Sequence, residues 1–234
     1  MGTGRPVVVL HGWGDSGAGW QPFAAELAKE YQVIVPDLPG FGGTEMPHVA
    51  WNVIDYAMFV RDFLQKIDVV PYAIVGHSNG GAIAIRALGQ GLLQAEKLLL
   101  IGSAGVRSPR SNQTIQMIAK VGKVVSRPLP RAVRRRLRET LYQKSGSDLL
   151  VAAHMQETFK KIVRDDVRAD AAYLSLPTLL LYGADDTETP VEIGELLHAA
   201  VEGSHLEVVA DAGHFVHRDA EKAVIDRTKE FLHA

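Results

Sequence analysis

The sequence predicts an α/β chain, a mostly parallel sheet of about six strands flanked by helices and carrying a helical insert. Two observations lead there. Short aliphatic runs alternate with helical patterns up to Ile101 and again from Pro177 onward. Continuous apolar strands alternating with helices are the mark of a parallel sheet covered on both faces. Between Ile101 and Pro177 the alternation stops and the pattern becomes wholly helical, which places an insertion in one strand-to-strand connection.

Taken in order, Val7–Leu10 is the first strand, bounded by Pro6 and His11. A helical pattern over Trp20–Tyr31 leads to the second, Val33–Val35, which Pro36 closes. Val53–Ile67 is the next helix and Tyr72–Val75 the third strand, followed by a helix over Asn79–Leu88 that is rich in Ala and Ile. Leu98–Ile101 is the fourth strand, Thr178–Tyr182 the fifth and Leu206–Val209 the sixth, with helices over Val191–Val201 and Ala220–Leu232. Each strand run is short, mostly β-branched or aliphatic, and bounded by Gly, Pro, Asp or His. The insert reads as three amphipathic helices, Thr114–Val125, Pro130–Tyr142 and Asp148–Val163. Pro128 and Pro130 break its first gap, and Ser145-Gly146-Ser147 breaks its second, with Asp148 as N-cap.

Composition bounds the function. A chain of 234 residues, 47% of them hydrophobic, can bury one large core. No stretch approaches the 18 or so apolar residues of a membrane span, so stable membrane insertion is not expected. The apolar run that ends at His11 is too short for a signal-peptide core. With no cysteine, disulfides, thiolate metal sites and a cysteine nucleophile are excluded. These features fit a cytoplasmic protein.

The net charge of −2 conceals an asymmetry. Residues 104–172 hold 15 Lys and Arg against 6 Asp and Glu, a net of +9, whereas the remainder holds 10 against 21, a net of −11. We read 104–172 as a basic lid or cap insert on an acidic core formed by 1–103 and 173–234. An insert between two strands of one sheet sits over the strand ends, where ligands of such sheets bind. The arginines Arg131, Arg134, Arg135, Arg136 and Arg138 do not imply nucleic acid as a partner. The insert holds only two aromatics before Tyr173 and no recognisable nucleic-acid motif, and a solvated helix face accounts for the charge.

The densest chemical signal is Gly76-His77-Ser78-Asn79-Gly80-Gly81, between the third strand and the helix after it. G-x-S-x-G at such a junction is a nucleophile elbow, a turn so tight that its flanks must be nearly side-chain-free. A serine hydroxyl is a weak nucleophile unless a base takes its proton, and the base needs an acid to fix its tautomer. Later strand ends supply both: Asp185-Asp186 follows the fifth strand, with Pro190 closing the loop, and Asp211-Ala212-Gly213-His214-Phe215 follows the sixth. Either aspartate can be the acid on this pattern, and His217 is a second candidate base. The Asn79 N–H and the Trp13 N–H of His11-Gly12-Trp13-Gly14 are candidate oxyanion donors.

These pieces, with Asp37-Leu38-Pro39-Gly40-Phe41-Gly42, span residues 7 to 232, and over them the chain resembles an α/β-hydrolase of the lidded esterase type. The resemblance implies the α/β-hydrolase fold, with Ser78 as nucleophile, His214 as base and Asp186 as acid. It also implies Trp13 and Asn79 as oxyanion donors, a small-molecule ester as substrate, and no metal or organic cofactor. Trp13 and Phe41 are candidates to line the acyl pocket. Two departures stand out. The antiparallel hairpin that usually opens the family is absent, and Asn79 stands where Met, Leu or Gln is common. Without the hairpin, Val33–Val35 becomes an apolar edge, either paired in a homodimer or shielded by residues 1–6.

Other readings compete. Gly12-Trp13-Gly14-Asp15-Ser16-Gly17 spells G-x-G-x-x-G after a strand, with Asp37 ending the next, but hydride transfer leaves Ser78, Asp186 and His214 without a task. His205, His214 and His217 suggest a metal, yet no carboxylate spacing supports one. His11 is expected to brace its loop, His77 and Trp20 to pack, and Asp37 and Asp211 to serve turns. Two functional alternatives remain: a carbon–carbon bond hydrolase of the same fold, which often has Asn where His77 stands, and a non-catalytic ligand receptor.

Overall fold

The computed structural model of the chain describes residues 1–107 and 155–234. Six strands form one sheet: β1 (Pro6–Leu10), β2 (Gln32–Ile34), β3 (Ala73–His77), β4 (Lys97–Ile101), β5 (Thr178–Gly183) and β6 (His205–Val209). Their order is β2-β1-β3-β4-β5-β6 and every pairing is parallel. The fold is that of an α/β hydrolase, with helices on both faces of the sheet.

Strand alternation explains the two layers. Val8 and Leu10 of β1 face one way with Ile74, Leu98, Leu100, Leu180 and Tyr182. On that face pack α2 (Val53–Lys66), α3 (Asn79–Gly89) and the helix Val191–Ala200. Val7 and Val9 face the other way with Val75, Leu99, Ile101 and Leu181, against α1 (Gln21–Leu27) and the C-terminal helix Glu221–His233. In chain order the later helices are α4 (Gln156–Ile162), α5 (Arg168–Ala171), α6 (Val191–Ala200), α7 (Val216–Asp219) and α8 (Glu221–His233). The N-terminus of α2 is fixed by a capping box: Asn52 Oδ1 accepts from Asp55 N–H at 3.1 Å, and Asn52 N–H donates to Asp55 Oδ2 at 2.8 Å.

β1 and β3 are neighbours although β2 separates them in sequence. Strand order reverses at β1, so the loops after β1 and β3 part at a topological switch point, where open parallel sheets bind ligands. That juxtaposition places His11–Ser16 beside the elbow.

The structure differs from expectation in three places. The helix expected over Trp20–Tyr31 is shorter, because Gly17–Trp20 forms a 3₁₀ turn and α1 stops at Leu27. There the Leu27 carbonyl accepts from both Glu30 and Tyr31 N–H, which turns the chain toward β2. β2 itself ends at Ile34, one residue early. β6, expected as a buried apolar run, is a half-exposed edge strand with Val208 50% exposed, since no strand among the described residues lies beyond it.

β2 is the other edge among the described strands. Val33 turns its backbone away from β1, and Met1 meets it there. Met1 N donates to Val33 O and Val33 N–H donates to Met1 O, both at 2.8 Å. The terminal segment thus folds back over this edge. Gly2, at φ +70°, is needed for that approach, because a Cβ there would strike the Ala28 and Tyr31 carbonyl oxygens.

Of the expected insert helices, Thr114–Val125 and Pro130–Tyr142 lie outside the described residues, and Asp148–Val163 is described only as α4, Gln156–Ile162. The described part of the insert is tied to the core. Arg86 on α3 pairs with Asp165 at 2.6 Å and Asp170 at 3.1 Å. Val167 N–H donates to Gly105 O, and Trp51 N–H to Thr158 Oγ1.

Candidate active site

β3 ends at His77 and α3 begins at Asn79, so the chain reverses at a single residue. Ser78 carries the whole turn, at φ 49° and ψ −119°. A non-glycine residue held there costs about 1–3 kcal/mol, a strain that persists only where the surroundings over-determine it. Here Ser78 N–H donates to Ile101 O at 3.2 Å, and Ser78 O accepts from Gly81 and Ala104 N–H, both at 3.0 Å. Side-chain-free flanks make the turn possible. A Cβ at Gly76 would lie 2.6 Å from Gly81 Cα, and one at Gly80 would strike the Leu10 carbonyl oxygen.

His214 and Asp186 meet from the ends of β6 and β5. His214 Nδ1 lies 2.9 Å from Asp186 Oδ2, and both side chains are buried. The other carboxylate oxygen, Oδ1, accepts the Glu188 and Thr189 backbone N–H groups, each at 2.8 Å. Burial by itself would raise the Asp186 carboxyl. The His214 hydrogen bond and charge, together with the Thr189 donors, outweigh it and hold Asp186 below the usual carboxylate range. A carboxylate so held keeps Nδ1 protonated and leaves Nε2 as the basic nitrogen. Asp185, one residue earlier, is exposed.

The first loop adjoins Ser78. A Cβ on Gly12 would sit 3.1 Å from Ser78 Cβ and 2.8 Å from His77 Nδ1, so only glycine permits this contact. His11 braces the loop as expected: its Nδ1 donates to Gly12 O at 2.8 Å, and its Nε2 accepts Leu38 N–H at 2.9 Å. Asn79 is the first residue of α3, so its N–H has no acceptor within the helix. Its carboxamide is buried, and neither polar atom has a hydrogen-bond partner among the described residues. Trp13 packs edge-on against Phe41 at 4.9 Å between ring centroids, and against Phe159 of α4 at 5.1 Å. Met155 reaches in from the insert side, at the spot a Cβ on Gly40 would occupy.

The other candidates fall into structural places. His77 Nε2 donates to the His214 carbonyl at 3.0 Å, tying the elbow to the loop after β6. His217 stacks on Trp20 with centroids 3.8 Å apart, and neither of its ring nitrogens has a hydrogen-bond partner among the described residues. Burial pushes His77 well below the ordinary imidazole range, with the nearby His214 and His217 adding to the effect. Burial likewise pushes His217 down to about 3. His205 sits on the exposed β6 edge facing Glu207 at 3.4 Å, so the three histidines do not converge. Asp37 closes two loops, accepting from Gly17 N–H at 2.7 Å and Gly43 N–H at 2.8 Å. The glycine-rich loop after β1 is thereby occupied by its own chain's carboxylate.

Two residues at the site were not singled out from sequence. Thr189 Oγ1 lies 2.8 Å from Asp186 Oδ2 and 3.1 Å from His214 Nδ1, and it donates to Gly102 O at 2.9 Å. Its place three residues after an aspartate is a local hydrogen-bonding pattern the sequence does contain. Glu188 Oε2 lies 3.7 Å from His214 Nε2, and no spacing rule points to it.

With this geometry in place, comparison with known proteins is direct. The model of the alpha/beta hydrolase family matches residues 7–227, and the chain belongs to that family. Among its relatives is a 2-hydroxymuconate semialdehyde hydrolase from a Pseudomonas species, 30% identical over 92% of this chain and 82% of the relative. A 2-hydroxy-6-oxo-2,4-heptadienoate hydrolase of Pseudomonas putida is 26% identical over 100% of this chain and 91% of its own length. Among solved structures, an esterase of Exiguobacterium antarcticum superposes with a TM-score of 0.76 at 21% identity, covering 100% of this chain and 94% of that one. It shares the fold. Among the described residues no helix is long and apolar enough to cross a membrane.

Proposed function

We propose that this protein is a serine hydrolase of carboxylic esters that works through an acyl-enzyme on Ser78. The observation that carries the reading is the strained elbow at Ser78, φ 49°, whose neighbour His77 is bonded to the carbonyl of His214, itself half of a buried His214–Asp186 pair at 2.9 Å. A serine kept in that conformation at a strand end has no structural task that glycine would not do at lower cost. In this reading His214 Nε2 takes the Ser78 proton as Oγ attacks the carbonyl, and Asp186 stabilises the imidazolium. The Trp13 and Asn79 N–H groups receive the oxyanion. Imidazolium then protonates the departing alcohol, and the same histidine activates the water that clears the acyl group. Trp13 and Phe41 line the acyl side, and residues 104–172 act as the lid that sets chain-length range.

A second reading is cleavage of a carbon–carbon bond beside a carbonyl. It is favoured by the two Pseudomonas relatives, named as hydrolases of oxo and semialdehyde compounds rather than of esters, whose match runs along nearly the whole chain. The same triad serves both reactions, so turnover decides between them. Aryl esters of increasing acyl length, assayed with fluorophosphonate labelling, test the ester reading. Wild type turns esters over and is labelled at Ser78; Ser78→Ala loses the label and about 10⁶ in turnover. Ester turnover that survives Ser78→Ala overturns the mechanism. Labelling without ester turnover moves the assignment to the second reading.

A further inference from the structure

We propose that Glu188 sets the charge preference of this site, favouring esters with a cationic or neutral alcohol and rejecting those with an anion close to the scissile bond. The inference rests on the serine-hydrolase reading and deepens it.

His214 commits Nδ1 to Asp186, so Nε2 is the nitrogen that faces the reacting atoms, receiving the serine proton and passing it to the leaving alcohol. Glu188 Oε2 lies 3.7 Å from that nitrogen. The two carboxylates around His214 differ in setting. Asp186 is fully enclosed behind Nδ1, whereas the Glu188 side chain is 33% exposed and lies on the Nε2 side of the ring. Asp186 spends its charge on His214 and on backbone donors. Glu188 has its backbone N–H anchored on Asp186 Oδ1 at 2.8 Å, which fixes where its side chain starts.

A leaving group placed for protonation by Nε2 therefore departs beside a carboxylate. Burial lifts the Glu188 carboxyl above its ordinary range, with the Asp186 charge adding to the lift and His214 opposing it, so the charged form is favoured by assaying at alkaline pH. At about 6 Å and an effective dielectric near 40, one unit charge on the alcohol changes the transition-state interaction by roughly tenfold in rate, with opposite signs for cation and anion. The named substrate of the Pseudomonas putida relative, a heptadienoate, carries a carboxylate. Glu188 opposes such a charge near Nε2.

Three esters of one acyl group test this, differing only in the alcohol: 2-trimethylammonioethanol, its neutral carbon isostere 3,3-dimethylbutanol, and glycolic acid. At pH 8 and low salt, kcat/KM is expected to fall about tenfold from cation to neutral and again from neutral to anion. In Glu188→Gln the three should come within about threefold of one another, and 0.5 M NaCl should compress the wild-type spread. A flat wild-type series, or a series equally steep in Glu188→Gln, overturns the inference. Because each comparison is a ratio within one preparation, a variant of lower overall activity still gives an answer. The underlying reading is tested separately by the neutral ester: Ser78-dependent turnover with a flat series removes the Glu188 role alone. Absence of Ser78-dependent turnover on all three overturns both.

Discussion

Acid should unfold this protein through its buried histidines well before its carboxylates titrate. His77 and His217 are buried, and three of their four ring nitrogens have no hydrogen-bond partner among the described residues. Burial holds both neutral, His217 down to about 3 and His77 well below the ordinary value. In the unfolded chain each takes up a proton near pH 6.5. The unfolded state therefore binds more protons below 6.5, so the stability present above that pH is lost as pH falls from 6.5 toward the folded values. At pH 5.5 a site kept neutral by burial gives up between about 1 and 2 kcal/mol, and two such sites together about 3 kcal/mol, a large part of a typical 5–15 kcal/mol. His11, lowered first of all by burial, acts in the same direction. Asp186 and Asp37, both held below the carboxylate range, act in that direction only at lower pH. Glu188, raised by burial, acts in the opposite sense, which makes a variant the decisive measurement. Urea melts at pH 7.5 and 5.5 should show the loss of about 3 kcal/mol in wild type and about half of it in His217→Phe, which keeps a ring on Trp20. Equal stability at the two pH values, or an undiminished drop in His217→Phe, refutes the reasoning.

Other expectations follow from single contacts. Asp186→Asn should lose about 10⁴ in turnover while the exposed Asp185→Asn stays near wild type, and steady-state kinetics on an aryl ester separates the two. Thr189→Val removes the hydroxyl between Asp186, His214 and Gly102 and should cost roughly tenfold in kcat with little change in KM. Met155→Ala empties the space against Gly40 and should shift preference toward longer acyl chains, read from an acyl-length series; unchanged selectivity removes Met155 from the pocket. Deleting residues 1–4 uncovers the outer N–H and C=O of Val33 and should promote self-association, measured by sedimentation velocity against the full chain.

What was legible in the sequence was what periodicity and glycine record. Val7 and Val9 against Val8 and Leu10 write two covered faces into four residues, and the strands lie where those runs occur. Gly76, Gly80 and Gly81 mark the elbow because no Cβ fits there. The pattern leaves both aspartates open, and it is the second of the pair, the one the family resemblance implies, that faces His214. Val33–Val35 is expected at an edge and β2 lies at one, and its covering by Met1 is among the outcomes expected there.

What stayed hidden depends on where a flexible side chain ends rather than where its Cα lies. In Asp186-Thr187-Glu188-Thr189-Pro190 the aspartate and proline carry the pattern, while the two residues that also reach His214 are Thr189 and Glu188. Their positions follow from one turn: both backbone N–H groups fold onto Asp186 Oδ1, which brings the Thr189 hydroxyl beside Nδ1 and the Glu188 carboxylate toward Nε2. A carboxylate that accepts two N–H groups from its own loop organises that loop around itself. Asp186 thus has two tasks. Asp186→Asn keeps an acceptor oxygen for the loop but removes the charge, whereas Asp186→Ala removes both. If loop geometry matters to Nε2, the alanine variant should lose the Glu188-dependent charge preference along with activity, while the asparagine variant, slowed to its residual turnover, should retain that preference. The ratio of cationic to anionic ester rates in the two variants decides the point, and equal ratios would show that the turn holds without its aspartate.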